Sequence, residues 1–381
     1  MKFIHFFTLG YYSKYLSYGI PLGIIVGLYS FFRIKYALNN VKISKTIRYT
    51  ICSAIAILLF AIFINPYSNA SLHVFYIFLS SLAVDIIRLI WKYVFKDKHV
   101  KYFSKIHKTG ILALIIYLIV IIISIQGIKH VELTEYKLET NKINNGKYSI
   151  IFLSDLHYGT IQDKQLLKDS IPKMNDLNPD IVVLGGDIVD ERTKNQDMKE
   201  VFNEFGKLNA TYGVYYVYGN HDTQPLPSDY ENENRTFTDE ELVNAIKGNG
   251  IKILEDEKVI LNNEIILVGR SDALWDGSKK RKNVSEILSK EDLSKYIVVA
   301  DHQPLDQELN AKSGVDLQIS GHNHGGQVFP YGEIIKLSGW PNYGVYEYDN
   351  MKLIMTSGFT GWGFPMRNEK VCEYVLITIG K

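Results

Sequence analysis

The 381 residues carry 42 Lys or Arg against 41 Asp or Glu, a formal charge of +1, but residues 1–128 hold 14 basic and two acidic side chains while the remainder nets −11. That length suits about two domains, and the charge split makes the two chemically unlike. An acidic second part excludes a nucleic-acid surface, which needs clustered positive charge; two cysteines exclude a disulfide scaffold or thiolate zinc finger; and 46% hydrophobic residues exclude a disordered chain.

Taken in chain order, three stretches carry no Asp, Glu, Lys or Arg: 15–32, 49–84 and 109–128. A helix crosses the ~30 Å hydrocarbon core with about 20 residues. The first stretch is short for a span, and the third is long enough. The middle one is too long for one helix and is broken by Asn65-Pro66, a turn signal. It reads as two helices, the second running past Asp85 and Arg88 to Trp91. The expectation is an N-terminal α-helical membrane domain of about four spans over residues 1–128, with no cleavable signal peptide.

Loop charge sets the expected orientation. Arg33, Lys35, Lys42, Lys45 and Arg48 join spans one and two; Lys92, Lys96, Lys98, Lys101, Lys105 and Lys108 join spans three and four against Asp97 alone. Positive loops stay cytoplasmic, so a multi-pass protein of the cell membrane is expected, with its C-terminal domain extracytoplasmic. Asp85 and Arg88 lie at i and i+3 within the third span. An intramembrane ionisable pair marks a functional site by default. The plainer reading, in which Arg88 compensates Asp85 and extends toward the basic loop, is favoured because no other buried charge accompanies the pair.

Residues 129–146 mix charges and end on an Asn144-Asn145-Gly146 turn, as expected of a linker. From 147 to 381 short apolar runs alternate with helix-length polar stretches, the pattern of an α/β domain. Strands are predicted at 149–153, 180–184, 214–218, 265–268, 296–300 and 316–319. Helices are predicted at 164–177 (with Pro172 as a possible break), 198–208 and 239–247, the last capped by Thr238 with Glu241 three residues on. Further β-rich runs from 344 to 379 suggest a second sheet.

Polar clusters follow five of these strands: Asp155-Leu156-His157, Gly186-Asp187-Ile188-Val189-Asp190, Gly219-Asn220-His221-Asp222, Asp301-His302-Gln303-Pro304 and Gly321-His322-Asn323-His324. Ligand crevices of open α/β sheets lie outside the C-terminal strand ends. Singly, each cluster is ordinary turn or cap chemistry. Together they hold all five histidines found after residue 146, which points to one shared metal site. Imidazole, carboxylate and amide donors without thiolate suit Mn, Fe or Zn; calcium, which takes oxygen ligands, fits poorly.

These blocks, in this order, resemble the calcineurin-like metallophosphoesterases, whose pattern runs Asp-x-His, Gly-Asp-x-x-Asp, Gly-Asn-His-Asp/Glu, His and Gly-His-x-His. Gly325-Gly326-Gln327 after the last block is similar to the branch holding membrane-anchored or exported bacterial members. The resemblance covers Asp155 to His324 and leaves the membrane part outside. It implies a β-sandwich flanked by helices and two divalent metal ions. One ion would take Asp155, His157 and His324, the other Asn220, His302 and His322, with Asp187 bridging. It further implies that His221 is a general acid or transition-state stabiliser, oriented by Asp222. Asp190 is expected to support its loop, and Asn323 to play no catalytic part. The implied activity is hydrolysis of a phosphate ester or pyrophosphate; that the substrate is lipid-linked is a separate expectation, from the outward orientation, the short linker and the aromatic-rich C-terminal loops. The alternative is a membrane receptor or scaffold that binds a phosphorylated ligand without turnover. Segment 223–237 is a candidate to line or cover the cleft, and Trp340, Trp362 and Phe364 are candidates either to contact a lipid or sugar or to belong to the core. Oligomeric state is not legible.

Overall fold

The computed structural model describes residues 11–66, 68–94, 98–144, 146–222, 236–273 and 279–381. The expectation that 223–237 covers the cleft falls almost wholly outside them. The chain forms two compact units, Met1–Ile122 and Ile123–Lys381.

In the first unit helices run over Tyr11–Ala37 (α1), Lys45–Ile62 (α2), Asn69–Val94 (α3) and Lys98–Thr109 (α4), followed by Ile111–Gly127 (α5), whose last residues belong to the second unit. Among the described residues three helices are long and apolar enough to cross a membrane, or four if 103–109 and α5, bent by 62°, count as one. The bend falls at Gly110, whose φ of 74° no continuing helix could hold. The helices expose rows of Ile, Leu and Phe, as a lipid-facing surface would. Helices α1 and α2 approach through small residues. A Cβ on Gly19 would lie 2.5 Å from the Phe63 carbonyl oxygen, and Gly23 and Gly27, one and two turns on, face Phe60 and Ala56.

The expected Asp85–Arg88 pair gives way to different partners. Asp85 accepts from the Tyr29 hydroxyl at 2.8 Å, meets His107 Nε2, and lies 3.7 Å from the Arg33 guanidinium. Arg88 turns instead to Ser104 Oγ and lies over the Tyr36 ring. Residues at i and i+3 share a face, but here α1 and α4 offer nearer groups of the right chemistry.

The second unit contains two six-stranded sheets. The first has the order β1 (Val131–Leu138), β12 (Cys372–Gly380), β2 (Lys147–Leu153), β3 (Ile181–Leu184), β4 (Val214–Tyr216), β5 (Lys252–Ile253). The second has the order β10 (Gly344–Tyr348), β11 (Met351–Met355), β9 (Leu317–Ser320), β8 (Tyr296–Ala300), β7 (Ile265–Gly269), β6 (Glu257–Leu261). Ile150, Phe152, Val183 and Tyr215 pack with Ile265, Leu267, Val298 and Ile319 between the sheets. Their neighbours Ile151, Leu153, Val182, Leu184 and Tyr216 point the other way, into α6 (Gln165–Asp176), α7 (Asn195–Phe205) and α8 (Asp239–Gly248). Both faces of these strands are therefore buried, which explains why their sequences are solidly apolar rather than alternating. The sandwich flanked by helices is as expected, with β10 and β11 joining the second sheet and β12 the first. The Thr238–Glu241 capping box opens α8, and Pro172 is accommodated inside α6.

Residues 129–146 are not a free linker. Strand β1 pairs in parallel with β12 from Val131–Cys372 to Leu138–Ile379, and Leu138 and Ile143 enter the core. Glu132, Glu135 and Lys137 take the exposed positions of an edge strand, where charge is tolerated and protective. The charge mixture that suggests a linker is thus edge-strand chemistry.

Candidate metal centre

Each polar cluster sits where a strand ends. Asp155 and His157 follow β2, Asp187 follows β3, Asn220 to Asp222 follow β4, His302 follows β8, and His322 and His324 follow β9. The chain must turn sharply there, and Asp155, Asp187, His157, His322 and His324 all have positive φ, between 43° and 75°. Such strain in non-glycine residues clusters at functional sites. The neighbouring glycines leave room for it. A Cβ on Gly219 would fall 2.2 Å from Asp187 Oδ1, and one on Gly321 2.3 Å from Asp155 Oδ2.

Two groups of donor atoms result, Asp155 with His157 and His324, and Asp187 with His302 and His322, the atoms of each lying within 4.8 Å of one another. All are buried except the two half-buried histidines His322 and His324. His302 Nδ1 donates to the Gly185 carbonyl at 2.8 Å and His324 Nδ1 to that of Thr360 at 3.2 Å. A carbonyl accepts only from N–H, so each Nδ1 carries a proton and Nε2 is the nitrogen left for a metal when the ring is neutral. His302 Nε2 lies 2.9 Å from Asp187 Oδ2, and His324 Nε2 3.6 Å from Asp155 Oδ1. The two groups meet through His322, whose backbone N–H donates to Asp155.

The donor set fits divalent cations on its own evidence. Both amide atoms of Asn220 and Nε2 of His157 are buried with no hydrogen-bond partner among the described residues, a costly state unless a ligand completes them. Asn220 lies between Gly219, packed on Asp187, and His221, whose N–H donates to Asp187 Oδ1 at 2.7 Å. Without metal the charges strain against burial. Burial opposes ionisation of Asp187, yet His302 and His221 hold its carboxyl well below the ordinary range. Burial and the nearby His302 charge push His322 down to about 4, and burial pushes His324 to about 3.

His221 lies apart from both donor groups, its ring 5.1 Å from that of His157. The carboxylate found on it is Glu191, 2.8 Å from Nδ1, both side chains buried. Asp222, expected to orient this ring, accepts the backbone N–H groups of Asp187, Ile188, Val189 and Gly219 at 2.7–3.1 Å. It clamps the Asp187 loop, where four converging amides suit an anion better than an imidazole does. Burial opposes charge on His221, but Asp187 and Glu191 outweigh it and raise the ring to about 9. Asp190 supports its loop as expected, bonding the Arg192 backbone and guanidinium, and additionally lies 3.4 Å from His157 Nδ1. Asn323 donates to the Pro341 carbonyl.

The 357–370 loop forms one wall and was not legible as such. Fully buried Arg367 donates to the carbonyls of His324, Ser357 and Thr360. Gln327, the end of the Gly-Gly-Gln run, bonds the backbone of Trp362, Phe364 and Met366. This brings the Trp362 ring 5.4 Å from that of His221. Glu191 could have been suspected as the acid after Asp190; Arg367 has no signal, since nothing in Met-Arg-Asn marks a buried arginine.

Residues 148–326 match the calcineurin-like phosphoesterase family model, the span that carries every one of these donors. An uncharacterised metallophosphoesterase of Aquifex aeolicus is 30% identical over 252 residues, 64% of this chain and 90% of the relative. The chain belongs to the calcineurin-like phosphoesterase family. An uncharacterised family member from Helicobacter pylori is 29% identical over 252 residues, 64% of this chain, and the chain spans only 62% of that relative's length. The Escherichia coli protein named phosphodiesterase YaeI is 29% identical over 202 residues, 52% of this chain and 68% of its own. The family's dinuclear divalent centre agrees with the two donor groups, and the apolar helices agree with membrane association.

Proposed function

We propose that this chain is a membrane-anchored, dinuclear metal-dependent phosphoesterase acting on the extracytoplasmic side, with a lipid-linked phosphate ester or pyrophosphate as its substrate class. The carrying observation is the pair of donor groups, linked where the His322 N–H meets Asp155, with amide and imidazole atoms left unsatisfied by the protein itself. Asp155, His157 and His324 would hold one cation, Asn220, His302 and His322 the other, and Asp187 would bridge. The chemistry such a pair would supply is charge neutralisation at the phosphoryl oxygens and activation of water at neutral pH; Mn, Fe or Zn would suit the donors.

The protein's own part follows from position. Gly185 and Thr360 fix the tautomers of His302 and His324, so their Nε2 atoms are pre-oriented. Asp222 holds the Asp187 loop rigid. His221, with Nδ1 on Glu191, would deliver a proton from Nε2 to the leaving oxygen. The outward orientation is supported by the lysines and arginines flanking α2 and α4. The name of the Escherichia coli relative makes a phosphodiester the first substrate to try.

The test is full-length protein in detergent with Mn²⁺, assayed on a monoester, diester and pyrophosphate panel. Hydrolysis of one member that a chelator abolishes is expected. Stoichiometric metal and ligand binding with no turnover on any would overturn it in favour of a phospholigand-binding receptor.

A further inference from the structure

Immediately after the last donor block, the chain leaves the core and returns. Gln327 N–H bonds the His324 carbonyl, and Asn323 Nδ2 reaches the Pro341 carbonyl at 2.7 Å, so the excursion between them is clipped at both ends to the His322-Asn323-His324 turn. Its inner side is fixed where Gly332 N–H meets Glu369 at 2.7 Å. Its outer side is apolar: Phe329, Tyr331, Ile334, Leu337 and Trp340 are 50%, 49%, 55%, 88% and 52% exposed. Tyr331, Ile334 and Leu337 recur every third residue of a short helix, Tyr331–Leu337, and so share one stripe. The charged members, Glu333 and Lys336, pair with each other at 2.9 Å. Contiguous exposed apolar surface of this kind marks an interaction site.

What covers it follows from its neighbour. Phe329 N–H donates to Asn368 Oδ1 at 2.8 Å, and the same amide donates through Nδ2 to Ser124 Oγ at 2.7 Å, while Arg367 N–H meets the Ser124 carbonyl. Ser124 lies in the last turn of α5, where Ile123 and Ile125 are also exposed. One asparagine therefore links the apolar stripe to the last turn of the uncharged, apolar helix α5. Tyrosine and tryptophan with aliphatic side chains and a neutralised ion pair are the composition of an element lying in the lipid headgroup region.

We infer that Phe329–Trp340 is an interfacial element that inserts into the bilayer surface and so brings the metal site to phosphate esters presented by lipid; the substrate part rests on the phosphoesterase reading above. The insertion is independent of it.

The test attaches an environment-sensitive fluorophore to Leu337→Cys in the full chain, where the native Cys52 and Cys372 are buried, with Lys247→Cys as the water-exposed control. In vesicles containing brominated lipids, the label at 337 should shift to the blue and be quenched, and the control should not. Emission equal to the control, or a blue shift without quenching (a protein contact), overturns insertion. In the second arm, Ile334→Glu with Leu337→Glu should cut hydrolysis of a vesicle-borne phosphate ester about tenfold or more, the scale of a lost local-concentration gain. Hydrolysis of a soluble nitrophenyl diester in detergent should stay unchanged. An equal loss on both, no loss on the vesicle ester, or wild-type protein active on the soluble ester alone overturns the substrate part. Wild-type protein active on neither refutes the phosphoesterase reading instead, and the quenching result still decides insertion.

Discussion

The two units each gather ionisable side chains away from water, and they do so differently. Around Asp85 the carboxylate meets a hydroxyl, an imidazole and a guanidinium supplied by neighbouring helices. Around Asp187 the protein collects two acids and four histidines and leaves the Asn220 amide and His157 Nε2 incomplete. An acid enclosed with compensating groups holds helices together; a set of converging donors left without partners is built for something that binds. Neither burial nor an unsatisfied atom alone separates structure from function, since Arg33 Nε and His107 Nδ1 beside Asp85 also lack a hydrogen-bond partner among the described residues; the convergence of several donor atoms within 4.8 Å of one another does.

The sharpest way to break this contrast is Asp187→Ala. Removing the shared carboxylate should empty both metal positions and reduce turnover by more than the roughly 10–100-fold typical of a change outside the ligand shell. Elemental analysis showing full metal content would refute the bridging role. His221→Ala should keep both metals and lose about 10²–10⁴-fold on esters with poor leaving groups, with a smaller loss on nitrophenyl esters, which need no proton. Equal losses would make His221 an electrostatic group. Glu191→Gln should cost less than removing the donor itself, on the order of tenfold in kcat with KM unchanged, and a normal KM with normal kcat would strip Glu191 of any positioning part.

Metal removal sharpens the contrast from another side. In the chelated protein His221 is raised from 6.5 to about 9 by Asp187 and Glu191 against the opposing effect of burial. Its protonated form then stabilises the fold fully below pH 6.5, and that contribution, on the order of 3 kcal/mol, is lost as pH rises toward 9. The Tm of chelated protein should accordingly fall across this window, and a flat profile there would contradict the assignment. The smallest effect on chemistry is expected from Asp85→Asn. It should destabilise the membrane unit by about 1–3 kcal/mol while leaving metal content and turnover of a soluble ester unchanged; lost metal would collapse the distinction.

The donors were legible in the sequence because their chemistry is carried by rare residue types at fixed places after apolar runs. Asp155, His157, Asp187, Asn220, His302, His322 and His324 all stand where such a run ends, and their positions in the fold follow from strand ends converging. Strand β1 was not legible, because an edge strand with Glu132, Glu135 and Lys137 outward has the composition of a linker until β12 pairs with it. The partner of Asp85 was misread for a similar reason. Spacing along one helix names the residues that can meet locally, and Arg33 and His107 come from elsewhere in the chain.

By itself, then, the sequence determined the division into an apolar helical part and an α/β part, most of the buried strands, and the candidate donor residues at their ends, since periodicity and residue chemistry are local properties. Only the tertiary structure decided which carboxylate meets which ring. Asp222 follows His221 directly, but four backbone amides of the Asp187 loop take its oxygens, and Glu191, thirty residues earlier, lies against the ring. The same holds for Arg367 and Gln327, which shape the wall beside His324 by collecting backbone groups from a distant loop. Hydrogen bonds between segments far apart in sequence depend on where the core places each backbone, and no local pattern encodes that.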